Sequence, residues 1–462
     1  MLFSGIPFLF YFLPCVLALY FIVPKTFKNG VLLLFSLLFY AWGEPRYVAL
    51  MVATIGLFYG CGLAIGKSES QQLKKFWLAV SVVLSLTSLA VFKYADFLIG
   101  TVGSLAGAKL GLLNLALPIG ISFYTFQCLS YTIDVYRGRV EPQKNIIDFG
   151  AYVSLFPQLI AGPIVRYADI ARQLQNRTHS WEKISEGLRR FLIGLSKKIL
   201  LANSFGQLTA LYADTAEKSV VFCWVYAIAF TLQIYFDFSG YSDMAIGLGK
   251  VFGFDFMENF DYPYMSSSIT EFWRRWHISL GSWFRDYVYI PLGGNRVKAG
   301  RWVINVLVVW MLTGLWHGAA WNFVLWGLLY GVFLMLEKWG KSVLDKAPIL
   351  LRRIYVLLIV VLGFVLFNAE SLPAALADLG GMFGFAGLPV SNQLTTYYLR
   401  SYGVLLLAGV VGATPLMRNL FRKWQNTKVF AIVEPVLLLA ALLVCTAYLV
   451  DGSFNPFLYF RF

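Results

Sequence analysis

The run of residues that decides the class of fold lies near the end of the chain. Residues 429–450 read VFAIVEPVLLLAALLVCTAYLV, and Glu434 is the single charged residue among them. A helix needs on the order of 20 predominantly apolar residues to cross the hydrocarbon core of a bilayer. This segment is therefore long enough and apolar enough to be a transmembrane helix.

Apolar runs of similar character occur along the whole chain, at residues 8–23, 77–92, 220–236, 323–336 and 354–367. The 462 residues are 59% hydrophobic and 13% charged, whereas average soluble chains are about 45–50% apolar and about 25% charged. The runs are continuous, which argues against the alternating pattern of a transmembrane β-barrel. We predict an all-α polytopic membrane protein with roughly 10–12 transmembrane helices, once short and broken spans are included.

The net charge of +14 fits this class of protein without a nucleic-acid partner, because Lys and Arg collect in the cytoplasmic loops of membrane proteins. No internal repeat and no polar stretch long enough to fold alone is visible. We therefore predict that residues 1–462 form a single membrane-embedded domain.

The sequence suggests a break in the membrane helices between residues 117 and 172. Residues 156–163 read FPQLIAGP, and their prolines and glycine would interrupt a helix within an apolar stretch. Irregular backbone at membrane depth is tolerated only where it is buried in protein or faces a water-filled cavity. We predict a re-entrant or interfacial turn here.

Two carboxylates follow directly on an apolar run, in residues 235–244, which read YFDFSGYSDM. Charged residues within a membrane are costly, and they face an interior or pair with a cation. Asp237 could pair with an arginine of the segment 271–285 and hold helices together, or it could act at a substrate tunnel. Asp243 is the second carboxylate of this segment.

Residues 271–280 read EFWRRWHISL, and WFRDY follows at residues 283–287. Read as one helix, the segment would carry apolar and aromatic residues on a single face, namely Trp273, His277, Leu280 and Phe284. Arg274 and Arg275 would then face the surface or the carboxylates. Such a helix is typical of the boundary between membrane and water.

The chain has three histidines. His179 lies in a polar loop and is expected to be solvated. His317 lies in residues 312–322, LTGLWHGAAWN, which we interpret as part of an apolar helix. The flanking Gly314 and Gly318 would let a neighbouring helix approach closely.

A buried imidazole costs free energy unless it has a partner, so His317 is either a structural residue bonded between helices or a functional one. A neutral buried imidazole can remove a proton from a hydroxyl, which typically accelerates a reaction by about 10²–10⁴-fold. Zinc requires three or four convergent ligands. The chain offers two suitable histidines and no cysteine cluster, so we predict no metal site.

Several of these motifs together resemble the membrane-bound O-acyltransferase (MBOAT) family: the segment 271–280, PLGGNR at residues 291–296, and GLWHG at residues 314–318. The segment 236–244 and AGPIVR at residues 161–166 are similar to the branch of that family that acetylates alginate in bacteria. The similarity extends from the first residues to the last.

The resemblance implies a ring of helices around a central tunnel, with His317 at the position of the family's essential histidine and His277 at that of its second one. It also implies a multi-pass protein of the bacterial inner membrane. The protein would bind no cofactor but would take an acetyl group from a cytoplasmic thioester, acetyl-CoA. The acceptor would be an extracytoplasmic polysaccharide, reached through a separate SGNH-type acetyltransferase.

From these implications we hypothesise that His317 deprotonates the acceptor hydroxyl, while His277 orients the thioester or stabilises the developing oxyanion. A supporting polar network would contain the remaining candidate residues, Asp237, Asp243, Arg274, Arg275, Trp316, Trp321 and Asn322. Two other enzyme functions stay open, acylation of peptidoglycan and D-alanylation of teichoic acid. A transporter or flippase is a further alternative, because broken helices and buried carboxylates also suit transport.

Overall fold

The computed structural model of the chain describes residues 3–451 and residue 458. Within these residues the regular structure is helical, and the β structure is an isolated bridge between Phe260 and Trp276. This confirms the prediction of an all-α polytopic membrane protein.

The chain divides into two units, one made of Met1–Phe191 and Ser242–Met257, the other of Leu192–Tyr241 and Glu258–Phe462. The main α-helices that begin in the first unit are Leu13–Ile22, Lys28–Gly43, Val48–Lys67, Gln71–Leu89, Ala95–Ala106, Ile121–Tyr136, Ile146–Ser154, Phe156–Leu159, Tyr167–Gln175 and Trp181–Ser196. Those that begin in the second are Asn203–Asp214, Val220–Val251, Ile269–Arg275, Ile278–Phe284, Ala299–His317, Trp321–Trp339, Lys341–Leu344, Ile349–Asn368, Leu372–Met382, Gln393–Gly412, Leu416–Trp424 and Lys428–Val450.

Among the described residues, seven helical segments are long and apolar enough to cross a membrane: Pro45–Lys67, Gln71–Ala106, Val220–Val251, Ala299–His317, Ile349–Asn368, Gln393–Gly412 and Lys428–Val450. This is fewer than the roughly 10–12 spans predicted from the apolar runs. Phe8–Ile22, which covers one of those runs, is shorter. The helix Trp321–Trp339, which covers another, ends in a turn that contains Glu337 and Lys338.

The predicted break near residue 156 is present, and it is buried inside the first unit. The helix Ile146–Ser154 ends at Leu155, and a single turn, Phe156–Leu159, follows before the backbone becomes irregular. Every residue from 149 to 165 is buried. The amide of Phe156 donates to Ser36 Oγ over 3.0 Å, so a side chain from another helix satisfies the interrupted backbone.

In the second unit, the helices Ala299–His317 and Trp321–Trp339 form a closely packed hairpin. A Cβ added to Gly314 would collide with the backbone carbonyl of Phe323, and one added to Gly327 would collide with that of Trp310. The close approach predicted near His317 is therefore present. However, His317 is the last residue of its helix rather than an interior one, because the backbone turns extended at Gly318.

The single helix predicted from residue 271 onward is wrong. The structure has two short helices, Ile269–Arg275 and Ile278–Phe284, with Trp276 extended and His277 in the left-handed region at φ 45° between them. The reason is tertiary pairing: Trp276 forms the bridge with Phe260, a partner that helical periodicity does not reveal. Trp273 and His277 therefore do not share one helical face.

Candidate active site

A cavity of about 890 Å³ lies in the second unit, and both His277 and His317 line it. It follows one face of the helix Ala299–His317, whose lining residues are Trp302, Val306, Val309, Trp310, Thr313 and His317. With a rise of 1.5 Å per residue, the part of the helix from Trp302 to His317 is about 22 Å long. The cavity is thus an elongated channel with the two histidines among its walls.

His317 is surrounded by aromatic rings and is 7% exposed. The ring centroids of Trp316, Trp326 and Phe367 lie 5.1, 5.2 and 5.4 Å from that of His317, each with the planes close to perpendicular. The centroid of the His277 ring is 6.4 Å away. These rings exclude water from one side of the imidazole, and electrostatic interactions are stronger in such a medium.

His277 is 2% exposed and contacts Phe238 and Trp316, with ring centroids 4.7 and 5.7 Å away. Its Nδ1 lies 3.2 Å from Oδ1 of Asn259. Burial lowers the pKa of His277 well below its usual range, and the neighbouring His317 lowers it further. The imidazole of His277 is therefore neutral at physiological pH.

The two rings do not form part of a larger ligand set. In the part of the chain that the structure describes, no group of three or more His, Cys, Asp or Glu side chains could hold a metal ion. The channel itself presents the two imidazoles beside apolar and aromatic side chains.

The channel also has a basic portion. Its lining includes four cationic side chains, Arg274, Arg285, Lys338 and Lys341, and two acidic ones, Glu337 and Asp345. Lys338 Nζ lies 3.6 Å from the centroid of the Trp302 ring, near the start of the helix that ends at His317. This portion of the channel is suited to an anionic group.

Glu337 supports the short helix Ile269–Arg275, and sequence reasoning missed it. Its buried carboxylate accepts hydrogen bonds from the amide and the hydroxyl of Thr270, over 2.9 and 2.7 Å, and from the amide of Ile269. A negative charge at a helix N-terminus is stabilising. Glu337 thereby anchors the helix that carries Arg274 to the helix hairpin.

The structure assigns Asp237 a different partner from the arginines we expected. Its carboxylate lies 2.5 Å from Lys198 Nζ, and the two side chains are 4% and 3% exposed. Arg275 instead pairs with Glu271 at 2.8 Å, and Arg274 is exposed on the channel wall. The predicted network of Asp237 with Arg274 and Arg275 is therefore not formed.

The remaining predicted residues are distributed differently. Trp316 is buried and contacts both imidazoles, and Asn322 donates from Nδ2 to the carbonyl of Ala369 over 2.9 Å. Trp321 is 54% exposed and is not among the residues that line the channel. Asp243 belongs to the first unit, where it pairs with Arg190 at 2.9 Å.

His179, expected to be solvated, is partly buried in the first unit. Its Nε2 lies 3.0 Å from the hydroxyl of Tyr20, which also accepts a hydrogen bond from Arg177 Nε over 2.7 Å. Burial, together with Lys28 and Arg177, lowers the pKa of His179 to about 4. His179 is thus a structural residue of a basic cluster, separate in the chain from the two channel histidines.

Comparison with known proteins gives the geometry its chemical context. Residues 139–371, which include His277 and His317, match the sequence model of the "membrane-bound O-acyltransferase family". The chain is a membrane-bound O-acyltransferase. It is 39% identical to the "Probable alginate O-acetylase AlgI" of Azotobacter vinelandii, over 100% of both chains.

Two further relatives of this O-acyltransferase show how the family varies. The protein of the same name from Pseudomonas aeruginosa is 41% identical over 93% of this chain and 84% of its own length. The peptidoglycan O-acetyltransferase of Helicobacter pylori is 33% identical over 90% of this chain and 87% of its own length.

Proposed function

We propose that this O-acyltransferase takes an acetyl group from acetyl-CoA on the cytoplasmic side of the bacterial inner membrane and passes it towards an extracytoplasmic, alginate-like polysaccharide. The observation that carries the proposal is that the buried side chains of His277 and His317 line one channel, with ring centroids 6.4 Å apart. The alginate acceptor is supported by the names of relatives that align with the whole chain.

In the proposed reaction His317 acts as the general base. Its imidazole removes the proton from the acceptor hydroxyl while that oxygen attacks the thioester carbonyl carbon. The new C–O bond forms, the C–S bond breaks, and the proton taken by His317 passes to the departing thiolate. The surrounding aromatic rings favour transfer to the acceptor, because they restrict the access of water that would hydrolyse the thioester.

The basic portion of the channel is suited to the donor. Acetyl-CoA carries its phosphates at one end and its thioester at the other, joined by a long flexible arm. Arg274, Lys338 and Lys341 would bind the phosphates, and the arm would follow the helix Ala299–His317 towards the histidines. The lysines belong to the basic stretch 338–353, which the positive-inside rule assigns to the cytoplasm.

The acetyl group would leave on the opposite side of the membrane, where a secreted SGNH-type acetyltransferase would receive it and modify the polysaccharide. Peptidoglycan is the second candidate acceptor, because a peptidoglycan O-acetyltransferase aligns with 90% of this chain. Deleting the gene in the host and measuring O-acetyl content separately in exopolysaccharide and in peptidoglycan distinguishes the two acceptors.

The central experiment measures transfer of labelled acetyl groups from acetyl-CoA by the purified protein in proteoliposomes, with the partner acetyltransferase and an alginate oligosaccharide outside. We expect His317→Ala to reduce transfer by about 10²–10⁴-fold, the usual contribution of a general base. His179→Ala, which alters the third histidine, is the matched control and should retain activity. Normal transfer by folded His317→Ala protein would refute the catalytic role, and movement of label without covalent transfer would support the transporter alternative.

A further inference from the structure

The side chain of Asn259 connects to three polar groups around His277. Its Oδ1 lies 3.2 Å from the backbone nitrogen of Ser279, 2.9 Å from Ser279 Oγ and 3.2 Å from His277 Nδ1. All three residues belong to the second unit and are buried. Asn259 lies in the loop that follows the helix Val220–Val251 and is part of none of the motifs singled out in the sequence.

These contacts determine the orientation of the amide. A backbone N–H can only donate a hydrogen bond, so the amide atom that faces Ser279 N must be the oxygen. A rotated amide would place its own N–H groups against that donor. The oxygen therefore also faces His277 Nδ1 over 3.2 Å, and two acceptors would oppose each other there unless Nδ1 carries the ring proton. The Ser279 hydroxyl, 3.4 Å from Nδ1, donates instead to the nearer Oδ1 of Asn259. In the neutral imidazole, the lone pair is then on Nε2.

Backbone contacts keep the side chains of Asn259 and His277 next to each other. The carbonyl of Asn259 accepts a hydrogen bond from the amide of Ile278 over 3.0 Å, and the bridge between Phe260 and Trp276 lies directly beside it. His277 adopts a left-handed backbone at φ 45°, a conformation that is unfavourable for residues other than glycine and is concentrated at functional sites. The backbone of His277 is thus fixed next to Asn259, and the ring is held at Nδ1.

Two side-chain atoms of this arrangement are buried and have no hydrogen-bond partner among residues 3–451 and 458, Asn259 Nδ2 and His277 Nε2. Of these two residues, His277 is the one that lines the channel. Buried polar atoms without a partner are rare in folded proteins, and each requires an explanation. An N–H or O–H group of a bound substrate would supply the missing donor.

We propose that Asn259 is a positioning residue that fixes His277 as the Nδ1-protonated tautomer and presents Nε2 to the channel as a hydrogen-bond acceptor for substrate. This deepens the proposed function and rests on it for the nature of the substrate. It also narrows the role of His277: an Nε2 without a proton cannot donate to an oxyanion. It accepts either from the amide N–H beside the thioester of acetyl-CoA or from the hydroxyl of the acceptor.

The first test reads the tautomer directly and needs no activity. Because the chain has three histidines, ¹⁵N-histidine labelling gives the nitrogen resonances of three imidazoles. The resonances that disappear in the His179→Gln and His277→Gln variants assign the signals to residues. We expect His277 in the wild-type protein at pH 7 to have a protonated Nδ1 and an unprotonated Nε2. A protonated Nε2 in His277 would overturn the proposal, whatever the enzyme acetylates.

The second test asks whether the tautomer matters for transfer. Asn259→Leu should shift His277 towards the Nε2-protonated tautomer and lower kcat/KM by about 10–100-fold, as loss of a residue that orients a functional histidine does. Asn259→Asp, which keeps an acceptor oxygen, should retain the Nδ1 proton and recover most of the rate. Ser279→Ala removes a hydroxyl 2.9 Å from Asn259 Oδ1 and 3.4 Å from His277 Nδ1 but keeps the backbone donor, so it should leave the tautomer unchanged. A changed tautomer with an unchanged rate would refute the positioning role.

The third test identifies the donor group. Acetyl-CoA and the acceptor oligosaccharide are added in separate experiments, and one of the two should shift the Nε2 resonance of His277. The KM for that substrate should also rise in Asn259→Leu. If the wild-type protein transfers no acetyl group, the proposed function fails while the tautomer spectrum still decides the claim about Asn259. If neither substrate shifts the Nε2 resonance of an active enzyme, the claim of substrate contact is wrong.

Discussion

The buried pair of Lys198 and Asp237 allows a quantitative test of whether Asp237 is structural or catalytic. The two charged atoms lie 2.5 Å apart, with 3% and 4% of the side chains exposed, and Asp237 also accepts the amide of Leu458 over 3.0 Å. Removing one partner of a buried pair leaves an uncompensated charge and costs about 3–5 kcal/mol. Replacing both by apolar residues is often neutral or stabilising. We therefore expect Lys198→Met to be strongly destabilising, and Lys198→Met/Asp237→Leu to recover most of the stability.

The expected shift in melting temperature follows from the size of the protein. With an unfolding entropy of about 2.1 cal/mol/K per residue, a chain of 462 residues loses roughly 3–5 °C in Tm for that change in free energy, and more if only one unit unfolds. Tryptophan fluorescence during heating in detergent measures it. Lys250→Met is the control: its partner Glu186 lies at a similar distance, 2.7 Å, but the pair is partly exposed, so the change should be within about 1 kcal/mol.

The same variants decide between the two explanations of Asp237. If the pair is structural, the double variant should transfer acetyl groups at a rate comparable to that of the wild-type protein. If the double variant is as unstable as Lys198→Met, the reasoning from buried charge is refuted. If it is stable but as inactive as His317→Ala, Asp237 acts in the reaction and the structural explanation is wrong.

Two further predictions concern backbone packing and pH. A Cβ at Gly327 would collide with the carbonyl of Trp310, whereas one at Gly300 would meet nothing within 4 Å. Gly327→Ala should therefore lower the free energy of unfolding by about 1–3 kcal/mol, while Gly300→Ala should leave it unchanged or raise it by up to about 1 kcal/mol. Equal melting temperatures for the two variants would contradict this. The pKa of His179 is lowered to about 4 in the folded protein, against about 6.5 in an unfolded chain. The unfolded chain thus binds the proton first, so stability should fall as the pH decreases from 6.5 towards 4. Comparing Tm at pH 7 and pH 5 should show a smaller decrease in His179→Gln than in the wild-type protein, and equal decreases would refute the assignment.

The features that could be predicted from sequence are those that depend on local composition. Long apolar runs predict transmembrane helices because the hydrocarbon core of the bilayer requires every span to be apolar and to satisfy its own backbone hydrogen bonds. The close approach at Gly314 could be anticipated for a similar reason, since a residue without a side chain beside a buried histidine leaves room for a neighbouring helix. The burial of His317 follows from its surroundings in the sequence. None of these inferences requires knowledge of a distant contact.

The features that could not be predicted depend on distant contacts. The periodicity from residue 271 onward is compatible with a continuous helix, but pairing between Phe260 and Trp276 interrupts it at His277. Likewise, Arg274 and Arg275, close in sequence to His277, are the expected ion-pair partners of Asp237, yet its partner is Lys198. Lys198 follows another lysine and, read from the sequence, is indistinguishable from a residue at a membrane boundary.

The buried polar groups of this chain differ in whether the protein itself supplies a hydrogen-bonding or ionic partner. The carboxylate of Glu337 accepts from Thr270 and from a helix N-terminus, Asp237 pairs with Lys198, and Asn322 donates to a backbone carbonyl. These groups have partners within the protein, and a structural role accounts for them. In contrast, Nε2 of His277 has no hydrogen-bond partner among the described residues, while Nδ1 of the same ring is held by Asn259. Because leaving such an atom unpaired costs free energy, the arrangement is best explained by a ligand that completes it.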